Sequence, residues 1–261
     1  MSTFVLKLIA CITMLADHIG WFSYTGYEGL GNVLRAFGRL SFPIFAYLIA
    51  FGFRKTRNKY LYLLRLVIVG FISELPYNYC FYNVPPRLNL LNKSTWVILS
   101  NSITKFNNVY FTLALGLLSI ILFDLIFKRK SWIRYLAPIP AIALTYLASI
   151  LETDYGAYGV ILIIFFYLAN ENKVWITIGC VLFSCRKIIS AIITCLIDSS
   201  IIEIDTWSYM QLFAALSAVI ILCCNGSRGP SPKSKFNRLL IKYSFYLFYP
   251  LHLLILGIMM R

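Results

Sequence analysis

Charge is scarce in this chain: 13% of its 261 residues are charged, 60% are hydrophobic and the mean hydropathy is +0.76. That balance excludes an ordinary soluble domain and identifies an integral membrane protein. Acidic residues are the scarcer sign, 10 against 24 Lys and Arg, for a net charge of +14. Histidine occurs only as His18 and His252, and the seven cysteines (Cys11, Cys80, Cys180, Cys185, Cys195, Cys223, Cys224) never fall at C-x-x-C spacing. A structural zinc site is therefore not expected, and the cysteines read as small buried hydrophobes. No internal repeat or low-complexity tract interrupts the sequence, so the default is a single polytopic domain over 1–261. The first apolar run lacks a basic leader and a small-x-small cleavage site and carries Asp17 and His18. It is expected to be a spanning helix and not a cleavable signal.

Long apolar runs fill the rest. Their spans are 4–22, 33–53, 60–82, 108–127, 136–151, 157–170, 174–198, 207–224 and 239–260. Helices, not barrel strands, are indicated, because only a helix satisfies its own backbone within one apolar segment. The fold class is all-α, a polytopic bundle of about nine transmembrane helices. The fifth and sixth runs are short, and Arg186 and Lys187 interrupt the seventh. If spans alternate, one side gathers Arg54, Lys55, Arg57, Lys59, Lys128, Arg129, Lys130, Arg134, Lys173, Arg228, Lys233, Lys235 and Arg238, and the other only Arg87, Lys93, Lys105 and Arg261. This bias puts the amino terminus in the cytoplasm of a multi-pass cell-membrane protein. The positive charge then reads as topology and attraction to lipid headgroups, and no nucleic-acid partner is expected. The aromatics, 16% of residues, read as packing and interfacial belt.

Polar residues inside spans carry the functional information, since each is costly at the bilayer centre. The stretch MLADHIGWF places Asp17 beside His18, and Lys7 lies eleven residues earlier. At 100° per residue Lys7 and His18 fall about 20° apart on one face, with a rise of roughly 16 Å. Asp17 and His18 point about 100° apart, so they do not form a self-contained dyad, and the group orienting His18 is sought on another helix. RAFGRLSFPIF places Arg35 and Arg39 on one face, with Pro43 expected to loosen the helix below them. Arg35 either snorkels to headgroups or joins a cavity; Arg39 is a turn deeper, where snorkelling is harder. GFRKTRNKY clusters donors suited to phosphate oxygens, or serves as a positive-inside anchor. Glu74, in ISELPYNYC, needs a partner, for which Arg39 or Arg65 is the expectation. Asp154 and Tyr155 lie at an outer turn in ETDYGAYG. His252 follows Pro250 in FYLFYPLHLLIL, where it either acts chemically or hydrogen-bonds a carbonyl freed by the proline. His18, Arg35, Arg39, Glu74, Asp154 and His252 all fall in the outer halves of their spans, which predicts a polar cavity entered from outside, where a histidine would be the natural general base.

The blocks KLIACITMLADHIGWF, GRLSFPIFAYLIAFGFRKTRNKYLYLLRL, NVYFTLALGLL, DYGAYGVILII, QLFAALSAVIILCCNGSRG and YSFYLFYPLHLLIL resemble, in order and over almost the whole chain, the TraX family of membrane acetyltransferases. The spacing of Lys7 and His18 is also similar to the first helix of larger membrane acyltransferase families. The resemblance implies acetyl-CoA as donor and transfer in or across the membrane, the family name coming from a conjugation protein that acetylates pilin amino termini. The family's blocks map onto Asp17 and His18, Gly38 and Arg39, Thr56 and Arg57, the loop Asn225, Gly226 and Gly229, and Tyr249, Pro250 and His252. The connection 83–107 is longer than the resemblance implies and could shape acceptor choice. On this reading, donor phosphates meet Arg54, Lys55, Arg57 and Arg228, with Lys7 leading inward. The thioester climbs roughly 21 Å of helix to His18. His18, or His252 in its place, takes the acceptor's proton while Arg39 or Arg35 supports the oxyanion. Asp17 belongs to this catalytic group, and Glu74, Asp154 and Tyr155 face the acceptor, a protein amino terminus, glycan or small molecule reached from outside. Ser41 or Cys11 as an acyl carrier is the weaker route. The competing class is a transporter or flippase, which also uses intramembrane Arg, Glu and His, but usually with internal repeats.

Overall fold

The computed structural model describes residues 1–23, 28–81, 106–198, 206–230, 232 and 234–259. Arg87, Lys93, Lys105, Lys233 and Arg261, and almost all of the connection 83–107, lie outside the described residues.

All regular structure among the described residues is helical: α1 (Thr3–Ser23), α2 (Glu28–Gly38), α3 (Ser41–Lys55), α4 (Lys59–Phe81), α5 (Val109–Phe127), α6 (Pro138–Ile150), α7 (Gly156–Ala169), α8 (Lys173–Asp198), α9 (Thr206–Leu212), α10 (Ser217–Leu222) and α11 (Lys235–Met259). Short 3₁₀ turns at Trp132–Leu136 and Phe213–Leu216 lead into α6 and link α9 to α10. Seven segments are long and apolar enough to cross a membrane, and Gly156–Ala169 and Ser208–Leu222 are shorter apolar helices. The protein is thus a polytopic helical membrane protein, and each of the nine apolar runs finds its helix. Arg186 does not interrupt α8, because its guanidinium lies 4.4 Å from the Phe183 ring centre and donates to the Phe183 carbonyl at 3.2 Å. A cation held against a ring and a carbonyl of its own helix is tolerated where a hydrated one is not.

The second apolar run is broken, but not at Pro43. The helix opens at Arg39 and Leu40, and α3 restarts at Ser41. Pro43 then lies in the first turn of α3, where its missing N–H has no helical acceptor to lose.

The chain divides into two compact units, one of Met1–Leu48 with Ala169–Ser231 and one of Ile49–Leu168 with Pro232–Arg261. In the first, α1 packs along α2, α9 packs on α8 and α2, and α10 packs on α8. Small residues set the approach of α1 and α2: a methyl on Gly20 would sit 2.8 Å from the Gly31 carbonyl oxygen, and one on Gly38 would sit 2.7 Å from the Asp17 Cα. Backbones that close are the membrane substitute for a hydrophobic driving force. The loop after α10 docks on the start of α1, with the Thr3 N–H donating to the Ser227 carbonyl at 2.8 Å and the Asn225 N–H to the Met1 carbonyl at 2.9 Å. Gly226 (φ 72°) and Gly229 (φ 84°) supply the left-handed backbone that this loop needs.

In the second unit α4 packs on both α5 and α11, and α5 packs on α6. The turn before α7 is pinned by a buried pair, the Thr112 hydroxyl donating to the Thr153 hydroxyl at 3.0 Å.

Candidate active site

In the first unit, α1 and α2 bring Asp17 and Arg39 together. Their ion pair is nearly buried, the side chains being 17% and 7% exposed, and the Arg39 Nε also donates to the Arg35 carbonyl at 3.3 Å. The pairing follows from the glycines. With no side chain at Gly38, the Asp17 backbone approaches the point where α2 unwinds, and the next residue reaches the carboxylate. The other carboxylate oxygen, Oδ1, is buried without a hydrogen-bond partner. Asp17 therefore holds Arg39 and does not orient His18, consistent with their expected divergence on the helix. His18, one residue on, is half-buried.

Arg35 is 6% exposed and its guanidinium lies 4.6 Å from the Trp21 ring centre, so it is buried against an aromatic face and does not snorkel to headgroups. Lys7 is exposed on the same continuous helix as His18, close to Cys11. Arg228 is exposed in the loop that docks on the start of α1. The two alternative acyl carriers are engaged or buried: the Ser41 hydroxyl donates to the Ala10 carbonyl at 3.0 Å, and Cys11 is 4% exposed.

In the second unit Glu74 is fully buried, but its partners are not the expected arginines. Its carboxylate accepts from the Asn107 N–H at 3.1 Å, from the Asn78 amide at 3.3 Å and from the Asn108 amide. Arg39 is taken by Asp17, and Arg65 hydrogen-bonds Tyr246. Neutral amide donors satisfy the carboxylate where a desolvated cation would have added its own burial penalty. The Asn108 oxygen meanwhile caps α5 by accepting from the Tyr110 N–H at 3.0 Å. Glu74 thus fastens the entry of α5 to α4.

His252 is 5% exposed, and its Nδ1 lies 2.7 Å from the Phe248 carbonyl oxygen. Only a protonated nitrogen pairs with a carbonyl, so Nδ1 carries the proton and Nε2 keeps its lone pair. The carbonyl belongs to the residue four positions back, whereas the one freed by Pro250 is that of Tyr246. The imidazole stacks on the Phe248 ring at 4.7 Å and meets the Tyr249 ring edge-on at 5.6 Å. Tyr249 in turn packs edge-on against Tyr110 at 5.3 Å and lies within electrostatic range of Asp154. Asp154 is exposed, and the Tyr155 N–H reaches the Thr112 hydroxyl at 3.4 Å.

The basic turn after α3 divides into two jobs. Arg54 donates to the carbonyls of Phe166 and Tyr167 at 3.1 and 2.6 Å, capping the end of α7. Lys55 and Arg57 are exposed, and Arg57, Asn58, Lys59 and Tyr60 line a cavity of about 480 Å³. Lys59 is held in that lining by Asp124 at 3.1 Å and by the Phe53 ring, whose centre is 3.7 Å away. Asp124 also binds Lys128 at 2.8 Å and the Tyr167 hydroxyl at 2.9 Å. The sequence reading did not single out Asp124, although an acid inside the apolar run VYFTLALGLLSIILFDLIF is the same signal that exposed Glu74. Among the described residues, no group of three or more His, Cys, Asp and Glu could hold a metal ion.

No solved structure matches the chain. Among characterised proteins, the chain is similar to the probable fimbrial assembly protein FimC, serogroup H1, of Dichelobacter nodosus, at 28% identity over 271 residues that cover 98% of this chain and 94% of that protein. The family model described as TraX protein matches residues 2–260. The chain therefore belongs to the TraX family, to which the blocks around Asp17, Arg39 and His252 had pointed.

Proposed function

We propose that the protein is a membrane-embedded acetyltransferase that moves an acetyl group from acetyl-CoA on the basic, cytoplasmic side to an amine or hydroxyl of an acceptor reached from the other side of the cell membrane. The observation that carries this reading is the nearly buried Asp17–Arg39 pair next to His18, deep in the first span. A fixed cation one residue from an imidazole is the arrangement that acyl transfer needs, a base for the acceptor proton and a positive group for the developing oxyanion. The exposed Arg57 and Lys55 and the cavity beside them suit the phosphates of a nucleotide thioester. Arg54 is left out of donor binding, since the end of α7 already holds it.

In the reaction, the acceptor N–H or O–H gives its proton to His18 as the nitrogen or oxygen attacks the thioester carbon. The tetrahedral oxyanion forms near Arg39, with Arg35 beside it on α2. The C–S bond then breaks and the thiolate leaves as coenzyme A thiol, taking a proton back. Asp17 is a positioning residue that fixes the guanidinium. His252, with its Nε2 lone pair available, is the second candidate base. The similarity to a fimbrial assembly protein favours a pilus-type subunit as the acceptor.

The test is free-thiol release from acetyl-CoA by the purified, detergent-solubilised protein. Wild type binds the coenzyme and releases thiol, Arg57→Ala binds it more weakly, and His18→Ala binds it but releases none. Thiol release by His18→Ala at the wild-type rate moves the base to His252, and absence of acetyl-CoA binding in wild type returns the protein to the transporter class.

A further inference from the structure

The first unit contains polar atoms that acetyl transfer as described leaves unused. Gln211 is 1% exposed, and neither its side-chain oxygen nor its nitrogen has a hydrogen-bond partner. It stands on α9, directly before the 3₁₀ turn Phe213–Leu216 that interrupts the last span of this unit. The element it belongs to packs against α2. There the Asn32 Oδ1 is also buried and without a partner, as is the Asp17 Oδ1 on α1, which packs on the same helix. Asn32 lies four residues into α2 and Gln211 five residues into α9, so each is roughly 6–8 Å below the start of its helix. Both helices begin on the side opposite the Asn225–Gly229 loop if the spans alternate.

A fully buried primary amide with both ends unmatched costs about 1–3 kcal/mol, and a membrane interior offers no solvent to soften that cost. Native proteins keep such groups where a ligand completes them. We propose that Gln211, with Asn32 and the second oxygen of Asp17, forms the acceptor subsite, and that it receives a head group presenting several N–H or O–H donors and one acceptor. The three oxygens accept the donors, and the Gln211 nitrogen donates to the acceptor atom. Gln211 and Asn32 are thus specificity-determining residues. The inference rests on the acetyltransferase reading for the word acceptor, but the polar subsite stands without it.

The test compares wild type, Gln211→Leu and Gln211→Met in detergent, by thermal melting alone and with triglycine, methyl glucoside or acetyl-CoA added. Removing an unmatched amide raises the melting midpoint of both variants by at least about 2 °C. Triglycine or methyl glucoside raises the wild-type midpoint, and the apparent affinity of that probe falls about tenfold in the variants, the loss expected for one hydrogen bond. Triglycine alone identifies an amine head group, and methyl glucoside alone a hydroxyl one. A fall in midpoint for both variants makes Gln211 a structural residue and overturns the proposal, and so does a wild type shifted by neither probe. The acetyl-CoA arm stays independent: its failure removes the donor while leaving the Gln211 result intact.

Discussion

Splitting the Asp17–Arg39 pair tests whether the geometry of α1 and α2 has the consequences assigned to it. In Asp17→Leu the Arg39 guanidinium remains buried with only the Arg35 carbonyl as a recorded acceptor; in Arg39→Met the Asp17 carboxylate remains with neither oxygen matched. Removing one member of a buried pair costs about 3–5 kcal/mol, because an uncompensated charge stays behind. Replacing both with apolar groups is about neutral, or stabilising by up to roughly 4 kcal/mol. For a protein of this size each kcal/mol moves the melting midpoint by about 2–4 °C, so each single variant falls by about 6–20 °C. Asp17→Leu/Arg39→Met returns to the wild-type midpoint or above it. The assay is a double-mutant cycle of melting midpoints in one detergent, read beside thiol release. The double variant regains stability but releases no thiol, which separates the structural from the chemical role of the pair. Single variants that melt with wild type, or a double variant whose loss equals the sum of the singles, would refute the reasoning.

Gly38→Ala forces a methyl to within 2.7 Å of the Asp17 Cα and lowers stability by about 1–3 kcal/mol, whereas Gly29→Ala, which meets nothing within 4 Å, melts with wild type or above it. Arg54→Ala frees two carbonyls at the end of α7 and costs about 1.5–3 kcal/mol in melting, while Arg57→Ala leaves the midpoint unchanged and weakens acetyl-CoA binding; equal melting losses in the two variants would contradict the division of labour. Asn108→Ala removes both the cap of α5 and a donor to Glu74, and loses about 2–4 kcal/mol by the same melting assay, more than a cap alone.

Hydropathy made the helices legible because apolar runs of spanning length have one structural solution in lipid. The run 33–53 shows the limit of that reading. The break at Arg39 and Leu40 depends on a partner, Asp17, twenty-two residues away in sequence, and Pro43 was harmless in a first turn. The same limit governs the site. Glu74 was recognisable as a buried acid needing a partner, but opposite charge was the wrong criterion: amides from Asn78, Asn107 and Asn108 satisfy it, and their pairing is set by packing of α4 against α5. Arg54 and Arg57 look alike in GFRKTRNKY, and only the proximity of the α7 terminus separates a cap from an exposed donor. Gln211 has no sequence signal beyond being polar inside an apolar run, and its unmatched state is visible only once burial and partners are known.

The central claim, acetyl transfer from one face to the other through His18, is tested most directly in sealed proteoliposomes with acetyl-CoA inside and triglycine outside, following acetylated peptide outside by mass spectrometry. The account predicts that product accumulates outside with wild type, requires internal acetyl-CoA, and is absent with His18→Ala. Product made by His18→Ala at the wild-type rate, or made only when acetyl-CoA is supplied outside, would contradict it.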